Sequence, residues 1–155
     1  MKIAVFPGSF DPITIGHQNI VERALPLFDK IIVAIGQNSL KNYYFTLEQR
    51  IEFIKQTFSN NPTVAVTTYS GLTIDFCKQV NSKFILRGIR NVTDYSYENA
   101  IAQMNNAMNN GIETIFLPTI PELSAINSTI IRDILIHGGE VSKFVPAVIK
   151  NKLKK

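Results

Sequence analysis

Short runs of β-branched and aromatic residues alternate along the chain with stretches whose apolar positions recur every three or four residues. Lys2–Phe6 predicts a first strand. From Gly16 to Phe28 the residues Ile20, Val21, Ala24, Leu25 and Phe28 follow helical spacing, and Pro26 should kink or shorten that helix. Lys30–Ile35 is continuously apolar after its first residue, as in a strand buried on both faces. Thr46-Leu47-Glu48-Gln49 has the pattern of a capping box and opens a helix with Leu47, Ile51, Ile54 and Phe58 on one stripe. Val64–Tyr69 predicts a third strand, Leu72–Val80 a short helix and Lys83–Leu86 a fourth strand. A long helix carries Ala100, Ile101, Met104, Ala107 and Met108 and ends near Asn110-Gly111. Thr114–Leu117 is a fifth strand. A helix from about Ser128 to Ile136 stops at Gly138-Gly139, and a last one starts near Pro146.

This order implies right-handed βαβ units in one α/β domain spanning residues 1–155: a Rossmann-like, doubly wound, five-stranded parallel sheet with helices on both faces. Ligands of such sheets bind outside the carboxyl ends of the strands, here directly after Phe6, Ile35, Tyr69, Leu86 and Leu117. Composition fits one folded domain, with 45% apolar and 18% charged residues in 155. The net charge of +4 is modest, and Lys150, Lys152, Lys154 and Lys155 contribute much of it as a solvated helix end. A basic stripe interleaved with aromatics is missing, which argues against a nucleic-acid-binding module. The run Ile3-Ala4-Val5-Phe6 stops at Pro7-Gly8, too short for a membrane span or a signal-peptide core, so a cytoplasmic protein without membrane attachment is expected. Cys77 is the only cysteine and stands in an apolar stretch, as a packing residue in a reducing compartment would.

Unusual residues gather at the expected strand ends. Gly8 lets the backbone pass close to a ligand, and Ser9 offers a hydroxyl at the tip of the first strand. Gly16-His17 opens the first helix, where free amides and the helix dipole favour a phosphate. Taken alone, such a pair is an ordinary strand-to-helix turn with a surface histidine.

The whole string Gly8-x-Phe10-Asp11-Pro12-x-Thr14-x-Gly16-His17 resembles the signature of the nucleotidyltransferase superfamily, commonly His-x-Gly-His. Thr14 in place of the first histidine is the version found in phosphopantetheine adenylyltransferases. The resemblance continues at Phe45-Thr46-Leu47-Glu48-Gln49-Arg50, Leu86-Arg87-Gly88-Ile89-Arg90 and Asp94-Tyr95-Ser96-Tyr97-Glu98, and closes at Ile126-Asn127-Ser128-Thr129-Ile130-Ile131-Arg132. It implies transfer of AMP from ATP to 4′-phosphopantetheine, giving dephospho-coenzyme A and pyrophosphate, in an enzyme that assembles as a homohexamer.

An acceptor phosphate is already an anion near neutral pH and needs no general base, so positioning and electrostatics should carry the rate. By resemblance, His17 contacts the ATP phosphates and stabilises the transition state. Ser9 stands where threonine is more usual and lies between the two substrates, next to Phe10. Lys41 matches the lysine that binds the acceptor phosphate, although Asn42-Tyr43-Tyr44 replaces the family proline downstream. On its own, Lys41 would read as a solvated loop lysine. Arg87 matches the arginine that holds the acceptor. Arg90 matches one on the ATP phosphates, beside Gly88 and Ile89. An arginine ending an apolar strand needs an anionic partner; a carboxylate could serve one of the two, but two so placed favour phosphate. Glu98 corresponds to a nucleotide contact, or equally to a carboxylate complementing the dipole of its helix. The segment Leu123, Ser124, Ala125, Ile126, Asn127, Ser128 and Thr129 corresponds to ATP contacts, and Ser128 and Thr129 can also cap the helix that follows. Leu123 stands in place of an aromatic residue, and Thr73 in place of Leu or Met beside the pantetheine arm. His137 sits in the last turn of its helix as a dipole complement. No spacing suggests a built-in metal site, so magnesium is expected only as the partner of ATP.

Among rival readings, a nicotinate mononucleotide adenylyltransferase or a cytidylyltransferase is disfavoured by Thr14 and by Arg87 with Arg90. A nucleotide sensor without turnover would not need His17, Lys41, Arg87 and Arg90 together.

Overall fold

The structure, a computed structural model, describes residues 1–153. Five parallel strands, β1 (Ile3–Gly8), β2 (Lys30–Gln37), β3 (Val64–Ser70), β4 (Phe84–Ile89) and β5 (Glu113–Pro118), lie in the order β3-β2-β1-β4-β5. Between and after them run α1 (Ile15–Ala24), α2 (Leu47–Thr57), α3 (Thr73–Gln79), α4 (Val92–Met108) and α5 (Ser128–Ile136). The strand order reverses between β1 and β4, which puts the topological switch point at the centre of the sheet.

Alternation along the strands divides the core. Ala4, Phe6, Ile31, Val33, Ile35 and Leu86 face α1, α2 and α5, together with the later Val141, Val145, Ile149 and Leu153. Val5, Ile32, Ala34 and Ile85 face the opposite side, against Ile74, Phe76 and Cys77 of α3. Continuous apolar runs in β1 and β2 are thus buried on both faces, as the sequence pattern implies. Cys77 is fully buried, and burial pushes its thiol up to about 11, which keeps it protonated and inert. None of the described helices is long and apolar enough to cross a membrane.

Local signals act mostly as expected. Thr46 accepts from the Gln49 N–H while the Gln49 side chain accepts from the Thr46 N–H, a complete capping box on α2. Pro26 shortens the first helix: α1 ends at Ala24 and Leu25–Leu27 continues as a single 3₁₀ turn. Two expectations are corrected. The cap of α5 is Asn127, whose Oδ1 accepts from the Ile130 N–H; Ser128 instead donates to the Pro12 carbonyl and Thr129 accepts from Arg132. No α-helix starts near Pro146. The bonds there span three residues, Ile149 to Pro146 and Lys152 to Ile149, so the chain advances in tight turns with a 3₁₀ segment at Lys150–Lys152. Lys154 and Lys155 lie outside the described residues.

Helix α4 contains no buried residue, and its apolar positions Tyr97, Ile101, Met104 and Met108 form one exposed stripe. Tyr97 is 69% and Met104 63% exposed.

Candidate active site

The site begins with a fork in the sheet. Strand β1 pairs with β2 along its whole length but with β4 only at Ala4 and Val5. Pro7 explains the difference. One residue's N–H and C=O point to the same neighbouring strand, and the Pro7 carbonyl accepts from Arg87 of β4 at 2.6 Å. The N–H that proline lacks would face β4, so the ladder stops and a crevice opens.

Gly8 follows. A Cβ there would meet the Phe10 ring at 2.9 Å, so glycine is what allows that ring to fold back over the strand end. Phe10 itself has φ of +47°, a strained left-handed conformation for a non-glycine residue. It is buried against Phe6, with the His17 ring edge-on at 5.1 Å. Phe10 thus supports His17 from beneath. Gly88 is constrained in the same way, since a Cβ would meet Ile20 of α1 at 2.9 Å.

Thr14 caps α1 by accepting from the His17 N–H, and the His17 side chain returns the bond by accepting the Thr14 N–H at Nδ1, 3.1 Å away. Histidine here takes the third position of a capping box, where Glu or Gln is usual. Because Nδ1 accepts a backbone N–H, the ring proton sits on Nε2, the opposite edge. Burial, with lesser contributions from Arg87 and Arg90, lowers the pKa of His17 to about 4. The ring is therefore a neutral N–H donor at physiological pH.

Two cavities meet at the fork, of about 560 Å³ and about 350 Å³. Pro7, Gly8, Ser9, Lys41, Arg87 and Glu98 line both. Phe10, His17, Gly88, Arg90, Ile126, Asn127, Ser128 and Thr129 line the larger. Thr73 lines the smaller, its hydroxyl 2.8 Å from the Tyr69 hydroxyl. The expected residues of both substrates are thereby brought together, except Ile89, Leu123, Ser124 and Ala125, which lie outside both linings. The Ser124 hydroxyl turns back to the Pro121 carbonyl. Lys41, on an exposed loop, reaches across the sheet so that its Nζ donates to the Ser9 hydroxyl at 3.1 Å.

The arginines go beyond the sequence reading, which allowed a carboxylate partner for only one of them. Both have carboxylate partners within the chain. Arg87 forms a two-pronged ion pair with Glu98, through Nε to Oε2 and Nη2 to Oε1. Arg90 pairs with Asp94 through Nε at 2.7 Å and Nη2 at 3.0 Å. The hydrogen bond from Arg90 holds the Asp94 carboxyl below the ordinary carboxylate range. Glu98 lies in the second turn of α4, so the dipole role at the helix start falls to Asp94 instead. His137 bonds to the Asp133 carbonyl at the end of α5, away from both cavities.

Sequence reasoning did not assign Asp11, Arg50, Asp94 or Arg132. Asp11 is buried and accepts from the Tyr44 and Phe45 N–H groups, each at 2.8 Å, which fixes the exit of the Lys41 loop. Arg132 lines the larger cavity and donates to the Asp11 carbonyl at 2.8 Å. Asp94 stands four residues after Arg90 and was legible as an i, i+4 pair. Among the described residues, no cluster of three His, Cys, Asp or Glu side chains could hold a metal ion.

The sequence matches the family described as cytidylyltransferase-like over residues 5–134. A phosphopantetheine adenylyltransferase from Christiangramia forsetii is 53% identical over 98% of this chain and 100% of its own length. One from Bacteroides thetaiotaomicron is 50% identical over 94% of this chain and 96% of its own. Among solved structures, a bifunctional NMN adenylyltransferase/ADP ribose pyrophosphatase from Francisella tularensis aligns with 98% of this chain and 48% of its own at TM-score 0.76 and 19% identity. A chain from Vibrio parahaemolyticus aligns over 99% of both at TM-score 0.72 and 22% identity. At those identities the structural likeness speaks for the fold alone.

Proposed function

The chain belongs to the phosphopantetheine adenylyltransferases, within the cytidylyltransferase-like family, and from that premise we propose that it joins ATP to 4′-phosphopantetheine by direct in-line displacement. The products are dephospho-coenzyme A and pyrophosphate. A phosphate oxygen of the acceptor attacks the α-phosphorus of ATP, and the bond from that phosphorus to the bridging oxygen of pyrophosphate breaks. The electron pair leaves with the pyrophosphate. The observation that carries this reading is the Lys41–Ser9 contact of 3.1 Å where the two cavities meet.

The larger cavity is assigned to ATP and the smaller to the acceptor. Lys41 and Ser9 hold the acceptor phosphate at the junction and steady the equatorial oxygens of the transferring group. Arg87 holds the acceptor, and Arg90 takes the charge that grows on the leaving pyrophosphate. His17 contributes as a neutral Nε2–H donor whose orientation the helix cap has already fixed, so little reorganisation accompanies the reaction. No side chain serves as covalent nucleophile. Among the described residues no carboxylate orients His17, and an acceptor that is already charged gains little from two displacements.

Magnesium would enter with ATP, its ligands supplied largely by phosphate and water. Asp94 and Glu98 are each engaged by an arginine, which suits a metal carried by ATP better than one resident on these carboxylates. The metal would screen the triphosphate charge. The place of action is the cytoplasm, where ATP is available and a lone thiol such as Cys77 stays reduced. The exposed stripe Tyr97, Ile101, Met104 and Met108 on α4 supports assembly, and a homohexamer is the state proposed.

An ATP analogue with a chiral α-thiophosphate tests the mechanism. Reaction with 4′-phosphopantetheine should invert the configuration at phosphorus. Retention, or an adenylyl group trapped on His17 from ATP alone, would require two displacements and overturn it. Turnover of nicotinate mononucleotide with none of phosphopantetheine would overturn the assigned acceptor.

A further inference from the structure

Lys41 stands on an exposed loop, and a lysine side chain gives up about 2 kcal/mol of rotamer freedom when held in one place. A group so free needs a fixed backbone to act reproducibly at a reaction centre. The exit of its loop is secured by Asp11. The middle is secured differently, by a buried cation.

Arg50, in α2, is 3% exposed, and among the described residues no carboxylate pairs with it. Such a charge is costly unless other groups replace its water. Two groups do so. Its Nη1 donates to the Ser9 carbonyl at 2.9 Å, and its guanidinium carbon lies 3.9 Å from the centre of the Tyr43 ring. Tyr43 is two residues after Lys41, and its hydroxyl accepts from the Asn38 N–H at 3.3 Å and donates to the Gly36 carbonyl at 3.4 Å. One guanidinium therefore binds the loop carrying Lys41 and the loop carrying Ser9 to each other. Its Nε, buried and without a partner, is the cost of that position.

We infer that Arg50 and Tyr43 are positioning residues for adenylyl transfer, joining the Lys41 and Ser9 loops so that the ammonium and the hydroxyl meet at the junction of the two cavities. The inference rests on the proposed roles of Lys41 and Ser9. It gives Tyr43 a task where the sequence departs from the family proline: an aromatic face over a buried arginine replaces the stiffness of a proline ring.

The test is a kinetic cycle on the full chain with ATP, magnesium and 4′-phosphopantetheine. Tyr43→Leu removes the stacked face from a partly buried position and should lower kcat about tenfold or more, the scale of a small misplacement at a reacting centre. KM for ATP should change by less than about twofold, and Tyr43→Phe, which keeps the ring, should stay within about threefold of the parent. In a Lys41→Ala background, Tyr43→Leu should cost less than about twofold more, because it acts through a lysine no longer there. Arg50→Lys keeps the charge without the planar fork and should repeat the pattern of Tyr43→Leu. Should that variant fail to fold, the Tyr43 cycle decides alone. A Tyr43→Leu loss that persists undiminished in the Lys41→Ala background, or falls equally on ATP binding, would overturn the inference while leaving the role of Lys41 intact. Lys41→Ala without effect on kcat would instead overturn the reading beneath it.

Discussion

Lowering the pH is the sharpest perturbation of His17. In the folded chain the ring has a pKa of about 4, against 6.5 in an unfolded one. Below 6.5 the unfolded chain takes up a proton that the folded chain refuses, so stability is fully present above 6.5 and falls as the pH drops towards 4. It levels off below 4. Linkage between those two values gives a loss of about 2 kcal/mol from pH 7 to pH 5 for this group. That is an upper bound, because the ring is only partly buried and cavity solvent screens part of the effect. Other groups titrate in the same range, so the comparison is with His17→Asn, which retains an acceptor for the Thr14 N–H. Urea unfolding of both proteins at several pH values should show a steeper decline in the parent, with the difference confined to pH 4–6.5. Imidazole nitrogen NMR provides the direct reading: a neutral ring protonated on Nε2 at pH 6, titrating well below 6. The rate is a poorer probe, since a phosphate acceptor itself titrates near pH 6. A His17 pKa near 6.5, or identical pH slopes in the two proteins, would refute the neutral-donor account.

Other predictions address single contacts. Arg87→Ala should weaken acceptor binding, read by titration calorimetry, by about tenfold or more while leaving ATP affinity within a few-fold, given the loss of a charge-assisted contact. Loss of ATP affinity alone would mean that the two cavities have been assigned the wrong way round. Gly8→Ala forces a methyl to 2.9 Å from Phe10 and should cost about 1–3 kcal/mol of stability in thermal unfolding, with activity lost through displacement of His17; a variant as stable and active as the parent would remove Phe10 from that role. Met104→Glu puts a charge into the exposed stripe of α4 and should shift the mass measured by analytical ultracentrifugation towards smaller species. An unchanged mass would place the interface elsewhere.

What the sequence made legible was local or periodic. The succession of strands along the chain and the two-faced burial of β2 follow from the spacing of apolar runs, and Thr46 with Gln49 announces its own capping box. Thr14 and His17 form the same motif, but a histidine in the third position is not a pattern that capping rules single out. Asn127, Ser128 and Thr129 are all good caps, and only backbone geometry decides that the first does the capping. Arg90 and Asp94 sit one helical turn apart and could be read, whereas Arg87 meets Glu98 across eleven positions and a change of element. Arg50 illustrates the deepest limit. Nothing in the sequence distinguishes an arginine buried under a tyrosine from a solvated one on the outer face of the same helix. Near Pro146, a proline suited to the first position of a helix suggested one, but the apolar side chains there pack through successive tight turns.

The two ion pairs also shape the traffic of anions. Glu98 and Asp94 cancel most of the charge on Arg87 and Arg90 before any ligand arrives, so these two arginines cast only a weak field into solution. With Arg87 and Arg90 in the roles proposed above, capture would be a matter of barter at contact distance, an incoming phosphate displacing a carboxylate that already fits the guanidinium fork. Chloride, a single-point acceptor, has little to offer in that exchange, and a correctly shaped polyphosphate has more. Departure runs the same way, with each carboxylate ready to reclaim its arginine as the product loosens. A crevice working in this way would trade tightness of binding for discrimination and for speed of release.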